Sequence, residues 1–494
     1  MVHRTTPLRR LAPLVPVLVL ALVLAGCNSA SVPPPVSPTG SGPTAAAPAS
    51  TGAVAAVCDN TMLGPDSAPL GAVAVDPRVD DDLHKKTQTK PPGTTFWLAP
   101  GTHTLGTDQF GQVIPKDGNT YLGAPGAVLD GRGRNLFAFT QKAADITIRY
   151  LTITGFVAPN NQGVVNHDSG DGWVIEHNTI QNNSGAGTMA GARQQVRDNC
   201  LRNNGQYGMN AYQAGNGIVG LVVEGNEIVG NNTDDWEARM PGCGCTGGVK
   251  FWAVNGADVR NDWVHDNRGP GLWADINNND VLIENNLIEA NDGEAVFYEA
   301  SYNLILRKNT IRNNTWVAGR EFADDGDNFP IAAIYISESG GESRLQGRTD
   351  KIDIYGNLFE NNWSGITAWE NADRFCNSPA NPSTDCTELL VPSSQCAQSG
   401  ISAESLYGDC RWKTQRVDIH DNRFVFDPAA VIGCTEGFAG RMAILANYGT
   451  YPDWSPYMAR VIQKAVTFDQ QNTWGSNTYS TSDRGCLWHM RQTE

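Results

Sequence analysis

Three short segments of this 494-residue chain carry the residues best suited to chemistry: V-K-F-W-A (249–253), L-W-A-D-I (272–276) and V-F-Y-E-A (296–300). In an alternating strand the first, third and fifth positions share one face. Those positions hold Val249, Phe251, Ala253, Leu272, Ala274, Ile276, Val296, Tyr298 and Ala300, which suit an interior. Lys250, Trp252, Trp273, Asp275, Phe297 and Glu299 then point outward. The opposite register would bury Lys250, Asp275 and Glu299 together, at high cost. If equivalent residues stack, Asp275 and Glu299 lie on neighbouring strands about 4.8 Å apart. Two carboxylates that close disfavour joint ionisation, so one pKa is expected to rise. A protonated acid beside an ionised one is the pair that glycosidic hydrolysis uses. Lys250 stands in the same group as a candidate base or as a cation for hydroxyl or carboxylate groups. The competing reading is a solvated acidic ladder, or a pair neutralised by Lys250.

The same columns extend less regularly to Val165 and His167, to Asn210 and Tyr212, to Tyr335 and Ser337, and to Thr367 and Trp369. Trp252, Trp273, Phe297, Tyr212, Tyr335 and Trp369 would form a row of aromatic plates for sugar rings, with His167 as a further substrate contact. A contiguous exposed apolar patch of this kind marks a binding surface; the bland alternative is that the insertions fold over the rings. Asp168 beside His167 belongs with this distant contact, and Glu370 reads as an inward residue that turns out to cap a loop.

A recurring phrase supplies the scaffold for these columns: Asn, any residue, a hydrophobe, two residues, then Asn or Asp. It occurs at Asn178, Asn199, Asn226, Asn286, Asn309 and Asn357, weakened at Asn422, with a variant opened by Asp262. The tightest spacings are 21, 23 and 24 residues. A period of about 20–50 residues signals a solenoid whose units must stack to bury their apolar faces. Runs of a few β-branched and aromatic residues between Gly and Asn turns read as strands. Three per unit give an all-β, single-stranded parallel β-helix, with the Asn side chains free to stack between coils.

Together with T-T-F-W-L-A-P-G-T-H (Thr94 to His103) and G-A-V-L-D-G-R-G (Gly126 to Gly133), the phrase resembles the right-handed parallel β-helix superfamily of pectate lyases, polygalacturonases and alginate epimerases, over roughly 95–430. The resemblance implies a right-handed fold with N- and C-terminal caps. It transfers no catalytic residue, because neither the polygalacturonase-like Asp cluster nor the pectate-lyase Arg-Pro signature is present, and the fold hosts unrelated activities.

The N-terminus is a targeting segment. Arg4, Arg9 and Arg10 precede an apolar run to Ala25, too short and Pro-interrupted for a membrane span. Its L-A-G-C ending (Leu24 to Cys27) resembles a bacterial lipoprotein cleavage box, which implies a lipid on Cys27 and an extracytoplasmic, membrane-anchored protein. Residues 1–26 are thus the signal, and 27–57, rich in Ser, Pro and Ala, a tether. Residues 58–430 form the β-helix domain, its cap at 58–93, with insertions at 233–247, 315–332, 338–350 and 371–415; 431–494 form a C-terminal cap. Insertions on one edge of a solenoid wall a binding face.

With 52 acidic against 36 basic residues and a net charge of −16, the chain is a poor match for nucleic acid. The 11 Cys, less Cys27, suggest disulfides in an exported protein. Cys376, Cys386, Cys396 and Cys410 are placed to staple a long loop, while Cys243 and Cys245 are too close to pair together. No motif requires a cofactor. A uronate lyase or epimerase would need Ca²⁺, which Asp275 with Glu299, or the loop from Asp324 to Asn328, could hold; its base would be Lys250 or His167, with Arg193 and Arg320 near the edge loops. The expected protein is a monomer acting on a polysaccharide, first as a hydrolase, second as such a lyase or epimerase, third as a non-catalytic glycan-binding or adhesive protein.

Overall fold

The computed structural model describes most of residues 63–427 and 465–481, with a few flanking positions; 1–53, 212–217, 326–330, 372–390 and 428–441 lie outside the described residues. Cys27 and the signal and tether segments therefore fall outside them. Among the described residues, three long parallel sheets of 13, 12 and 9 strands run the length of the molecule. Each coil gives one strand to each sheet, as in Gln195–Arg197, Cys200–Arg202 and Tyr207–Asn210. The expected parallel β-helix is the observed architecture.

The repeat phrase builds the coil. Its hydrophobe is the middle residue of a three-residue strand, so Ile180, Leu201, Ile228, Val264, Ile288 and Ile311 stack down the interior. Its two Asn positions form two separate ladders. In one, the amide of Asn178 donates to Asn199 at 3.1 Å, Asn199 to Asn226 at 3.0 Å, and Asn286 to Asn309 at 3.0 Å. In the other, Asn183 donates to Asn204 at 3.0 Å, Asn204 to Asn231 at 3.1 Å and Asn231 to Asn267 at 3.0 Å. Each Asn also bonds main-chain groups, as when Asn199 gives its amide to Ile175 O and its acceptor to Asn178 N. Buried turn groups that would otherwise lack water thus find partners. The residue before each ladder Asn is left-handed: His177, Asp198, Gly225, Asn261 and Asn285 before one, Asn182, Asn203 and Gly230 before the other. Polar and Gly residues tolerate that conformation best.

A second column was not foreseen. On the 13-stranded sheet Arg149, Glu176, Arg197, Glu224, Arg260, Glu284 and Arg307 follow one another in register, alternating in sign. Ion pairs link them, for instance Arg307 to Glu284 at 2.7 Å. Opposite charges directly opposed across strands favour this register over a slipped one.

The ends differ from expectation. The 58–93 segment is not a single cap on the first coil. Cys58 is disulfide-bonded to Cys200, and Val57 N and Cys58 N donate to Glu227 at 2.6 and 2.8 Å. Pro65 O accepts from Trp97 Nε1, so the described residues of this segment are fastened to several different coils. Only the helix Asp82–Thr89, which buries Leu83 in the core, acts as a lid. At the other end, strands Leu445–Thr450, Thr473–Gly475 and Thr478–Thr481 add to the three sheets, and Asn477 continues the first ladder from Asn422. Stacking therefore continues well past residue 430, because the last coil keeps the ladder Asn while losing the phrase around it.

Asp262 occupies an Asn position in the first ladder. Asn226 donates to its Oδ1 from N at 2.7 Å and from Nδ2 at 2.9 Å, but Oδ2 is buried without a partner among the described residues. Burial raises its pKa to about 7, against the lowering effect of the Asn226 bonds. A protonated Oδ2 can donate as an Asn amide does; an ionised one cannot. A folded-state pKa raised above 3.8 contributes stability that is complete below about pH 4 and is lost as pH rises through 7. Asp262→Asn is expected to stabilise the fold at pH 8 by on the order of 4 kcal/mol and to change little at pH 4. Denaturant unfolding at both pH values checks this, and a gain independent of pH would rule out the ionisation account.

Candidate functional site

The nine-stranded sheet carries the three sequence segments as strands Val249–Trp252, Leu272–Asp275 and Val296–Glu299, followed by Ile334–Ser337 and Ile366–Asn371. The inward assignment holds for the first and third positions: Val249, Phe251, Leu272, Ala274, Val296 and Tyr298 all belong to the core. The fifth positions differ. Ala253, Ile276 and Ala300 leave the strands with φ of 50°, 55° and 44°, at the corner beside the acids. A β-branched residue there, Ile276 directly after Asp275, is strained backbone.

Asp275 and Glu299 are register partners in adjacent coils, as are Trp252 and Asp275. Their surroundings differ. Lys250 Nζ lies 2.7 Å from Asp275 Oδ2, 3.1 Å from Gly244 O and 3.2 Å from the centre of the Trp273 ring. Trp273 Nε1 donates to Glu299 Oε2 at 3.2 Å. Lys250 is only 4% exposed, so the ammonium is held between an indole face, a carbonyl and a carboxylate in a nearly dry setting. A lysine so engaged is placed as a cation rather than as a free base, which realises the neutralised-pair alternative for Asp275.

The aromatic residues form a stack rather than a row of open plates. Trp273 and Phe297 lie with centroids 5.0 Å apart, Phe297 and Tyr335 4.7 Å, and Tyr335 and Trp369 5.6 Å. Trp273, Tyr335 and Trp369 are buried; Phe297 and Trp252 are half-buried. The insertion at 233–247 supplies the cover at one point, since a Cβ on Gly244 would sit 2.9 Å from the Trp273 ring. Access thus narrows to the strip around Trp252, Asp275 and Phe297.

The upstream columns shift. Val165 is paired with Thr188 and lies in the core, so it occupies an inward position, and Asn166 turns left-handed after it. His167 thereby leaves the sheet face and stacks on Phe137 at 3.7 Å, its imidazole pKa pushed down by burial. Asn210 does pair with Lys250. Tyr212 lies outside the described residues. Arg193 is paired with Asp171, and Arg320 lies 5.5 Å over Trp316 on the helix Trp316–Asp324. Asp324 ends that helix rather than opening an acidic loop; Asp327 and Asn328 lie outside the described residues. Glu370 stays inward in its strand, fully buried, accepting from Thr414 N at 3.1 Å and Gln470 Nε2 at 2.7 Å, so it does not turn out of the sheet. Cys245 and Cys410 are each engaged in a disulfide; Cys243, Cys376 and Cys386 lie outside the described residues.

Glu294 was missed. It stands where the chain enters strand Val296–Glu299, outside the repeat phrase and outside the alternation that singled out the other acids. Burial, followed by the charge of Glu299, raises its pKa to about 7. The only signal was a carboxylate two residues ahead of an apolar strand, which by itself is ordinary. Asp353, Asp418 and His420 come close enough to hold a metal, but they lie on another sheet and Lys351 already sits 2.5 Å from Asp418.

Removing one partner of a nearly dry ion pair leaves the other charge uncompensated. Lys250→Ala is expected to destabilise the protein by about 3–5 kcal/mol, and Lys250→Met by less because it keeps the stem's packing on Trp273. Denaturant melts at pH 7 test this; two variants as stable as wild type would show that the pair contributes nothing to the fold.

A family model described as a right handed beta helix region matches residues 162–350. No curated protein matches the chain. Among solved structures, the chain is similar to a mannuronan C-5 epimerase A-module of Azotobacter vinelandii, with 12% identity, TM-score 0.41, and coverage of 84% of this chain and 98% of that one. It is also similar to the catalytic unit of a thermostable α-1,3-glucanase of Streptomyces thermodiastaticus, with 12% identity, TM-score 0.44 and coverage of 85% and 72%. An alginate lyase of Paenibacillus sp. gives 12% identity, TM-score 0.34 and coverage of 60% and 93%. With three parallel sheets stacked coil on coil, the fold is a right-handed parallel β-helix.

Proposed function

We propose that the protein is an extracytoplasmic, carbohydrate-active enzyme that hydrolyses glycosidic bonds on the nine-stranded sheet. The observation that carries the reading is the unequal setting of two register-paired carboxylates: Asp275 against Lys250, and Glu299 against the Trp273 indole. Environments that set two neighbouring acids apart suit one for proton donation and the other for base or nucleophile work. Asp275, beside a fixed cation, would act in its ionised form. Proton donation would fall to Glu294, protonated up to about pH 7, working beside Glu299, whose carboxylate accepts from the Trp273 indole. Trp252 and Phe297, still partly open, would meet the sugar rings. Lyase or epimerase chemistry needs a cation for the substrate's carboxylate, and Lys250 and Arg193 are both engaged with acids of the protein. A buried disulfide framework begun by Cys58–Cys200 fits an oxidising compartment. No helix among the described residues is long and apolar enough to cross a membrane, and attachment would come from lipid on Cys27.

The test is product release from a panel of neutral and acidic glycans. Wild type is expected to shorten at least one, and Asp275→Asn and Glu299→Gln, still folded, to lose about 100-fold or more in rate. Unsaturated products absorbing in the ultraviolet would replace hydrolysis with elimination. Variants as active as wild type would remove this pair from the mechanism, and binding without turnover would leave a glycan-binding protein.

A further inference from the structure

A strand with one face in solvent alternates in burial, as Val174–Glu176 and Thr179–Gln181 do on the other two sheets. On the nine-stranded sheet that alternation is lost. Ala186–Met189, Tyr207–Asn210 and Ile334–Ser337 are buried at every position, on both faces. One outward column runs in register from Met189 through Asn210, Lys250, Trp273 and Phe297 to Tyr335 and Thr367. Phe297 is its half-exposed member, whereas Met189, Asn210 and Thr367 are 0% exposed. The next column opens at Trp252 and Asp275 and shuts at Ser337 and Trp369, 0% and 6% exposed. Exposure is thus confined to the three coils that carry the candidate acids.

The upstream end is closed by identifiable bonds. Asn210 Nδ2 donates to Asn161 O at 3.1 Å, which lays the turn at 159–162 across the sheet. Gln206 ties that turn to the insertion at 233–247. Its Oε1 accepts from Asn161 N at 2.7 Å, and its Nε2 donates to Asn160 Oδ1 at 2.6 Å and to Cys245 O at 3.1 Å. Lys250 holds the neighbouring Gly244 through its carbonyl. Where the strands begin, Glu294 and Ala295 are buried as well. Among the described residues, the opening therefore continues on one side alone, past half-exposed Ile276 and Asn277.

A polysaccharide cleaved in mid-chain continues past the broken bond in both directions, so it needs a groove with two exits. An opening of ~10 Å, two coil rises, with one exit holds roughly two sugar rings and the end of a chain. We infer that the site admits chain ends, not chain interiors, and releases products of one or two sugar units. The release rests on the hydrolytic reading above; the closed ends do not. Each cleavage consumes one water. Its hydroxyl bonds the anomeric carbon, the glycosidic oxygen leaves with a proton from the protein, and the water's other proton restores that carboxyl.

Hydroxyl-radical footprinting of the folded protein, read residue by residue by mass spectrometry, tests the closure without a substrate. Trp252 and Phe297 are expected to be modified. Met189 and Tyr335 are expected to be protected, although an accessible thioether oxidises readily. Gln206→Ala, which frees the turn at 159–162, should expose Met189; the wild-type footprint decides alone if that variant does not fold. Met189 and Tyr335 modified as fast as Trp252 would overturn the closed ends, whatever the activity. On a glycan that is cut, mono- or disaccharide should appear from the first turnovers while the polymer's viscosity holds. A ladder of long fragments with collapsing viscosity would overturn chain-end action and leave hydrolysis standing. A protected Met189 with no glycan cut would overturn hydrolysis, and the release with it, while the closed ends stood.

Discussion

The structure depends on a buried amide passing one hydrogen bond to its counterpart in the next coil. Each ladder Asn has two donors and an acceptor with two lone pairs, enough to serve the next Asn and the main-chain groups of the turn together. Asn199, for example, bonds Ile175 O, Asn226 Oδ1 and Asn178 N. A turn that is repeated and buried leaves main-chain polar groups without water, and no apolar residue could satisfy them. Two such ladders flank the short strand between them, so they set the coil spacing and the register of all three sheets. Asp262 shows the constraint by departing from it: lacking the amide donor, it holds a proton to about pH 7 instead.

The register fixed by the ladders is what brings Lys250, Asp275 and Glu299 together from three successive coils. Because the strands advance in step, outward positions two and four become columns, and a charge in one coil necessarily meets its neighbour in the next. On the 13-stranded sheet this produces an alternating ionic column; on the nine-stranded sheet it produces a cation flanked by an aromatic stack and two acids. The first is a symmetrical pairing in which each charge has an opposite neighbour. The second is unsymmetrical, with the ammonium serving Asp275 and the indole serving Glu299, and that asymmetry distinguishes the candidate site from the stabilising surface.

The coil phrase was legible because it repeats, and repetition reports on long-range pairing through local sequence alone. Alternation likewise placed Phe251 and Tyr298 inward and Lys250 outward, since a slipped register would bury charges. The same argument failed at Val165 and His167, where Asn166 turns left-handed and ends the alternation one residue early. It failed again for the exposure of Trp273 and Tyr335. Alternation says which side of a sheet a residue takes, whereas cover depends on an insertion such as Gly244 that carries no period. Glu294 lies outside the phrase and outside the alternation that picked out the other acids, and its burial has no counterpart in the spacing.

The sequence by itself therefore determined the solenoid, its three strands per coil and the common column of Asp275 and Glu299, because each follows from periodicity and the cost of burying charge. Only the tertiary structure decided that Lys250 is committed to Asp275, that most of the aromatic stack is covered, and that Cys58 and Pro65 are fastened to different coils. Those outcomes depend on side-chain contacts between non-repeating segments, for which spacing along the chain has no counterpart in space.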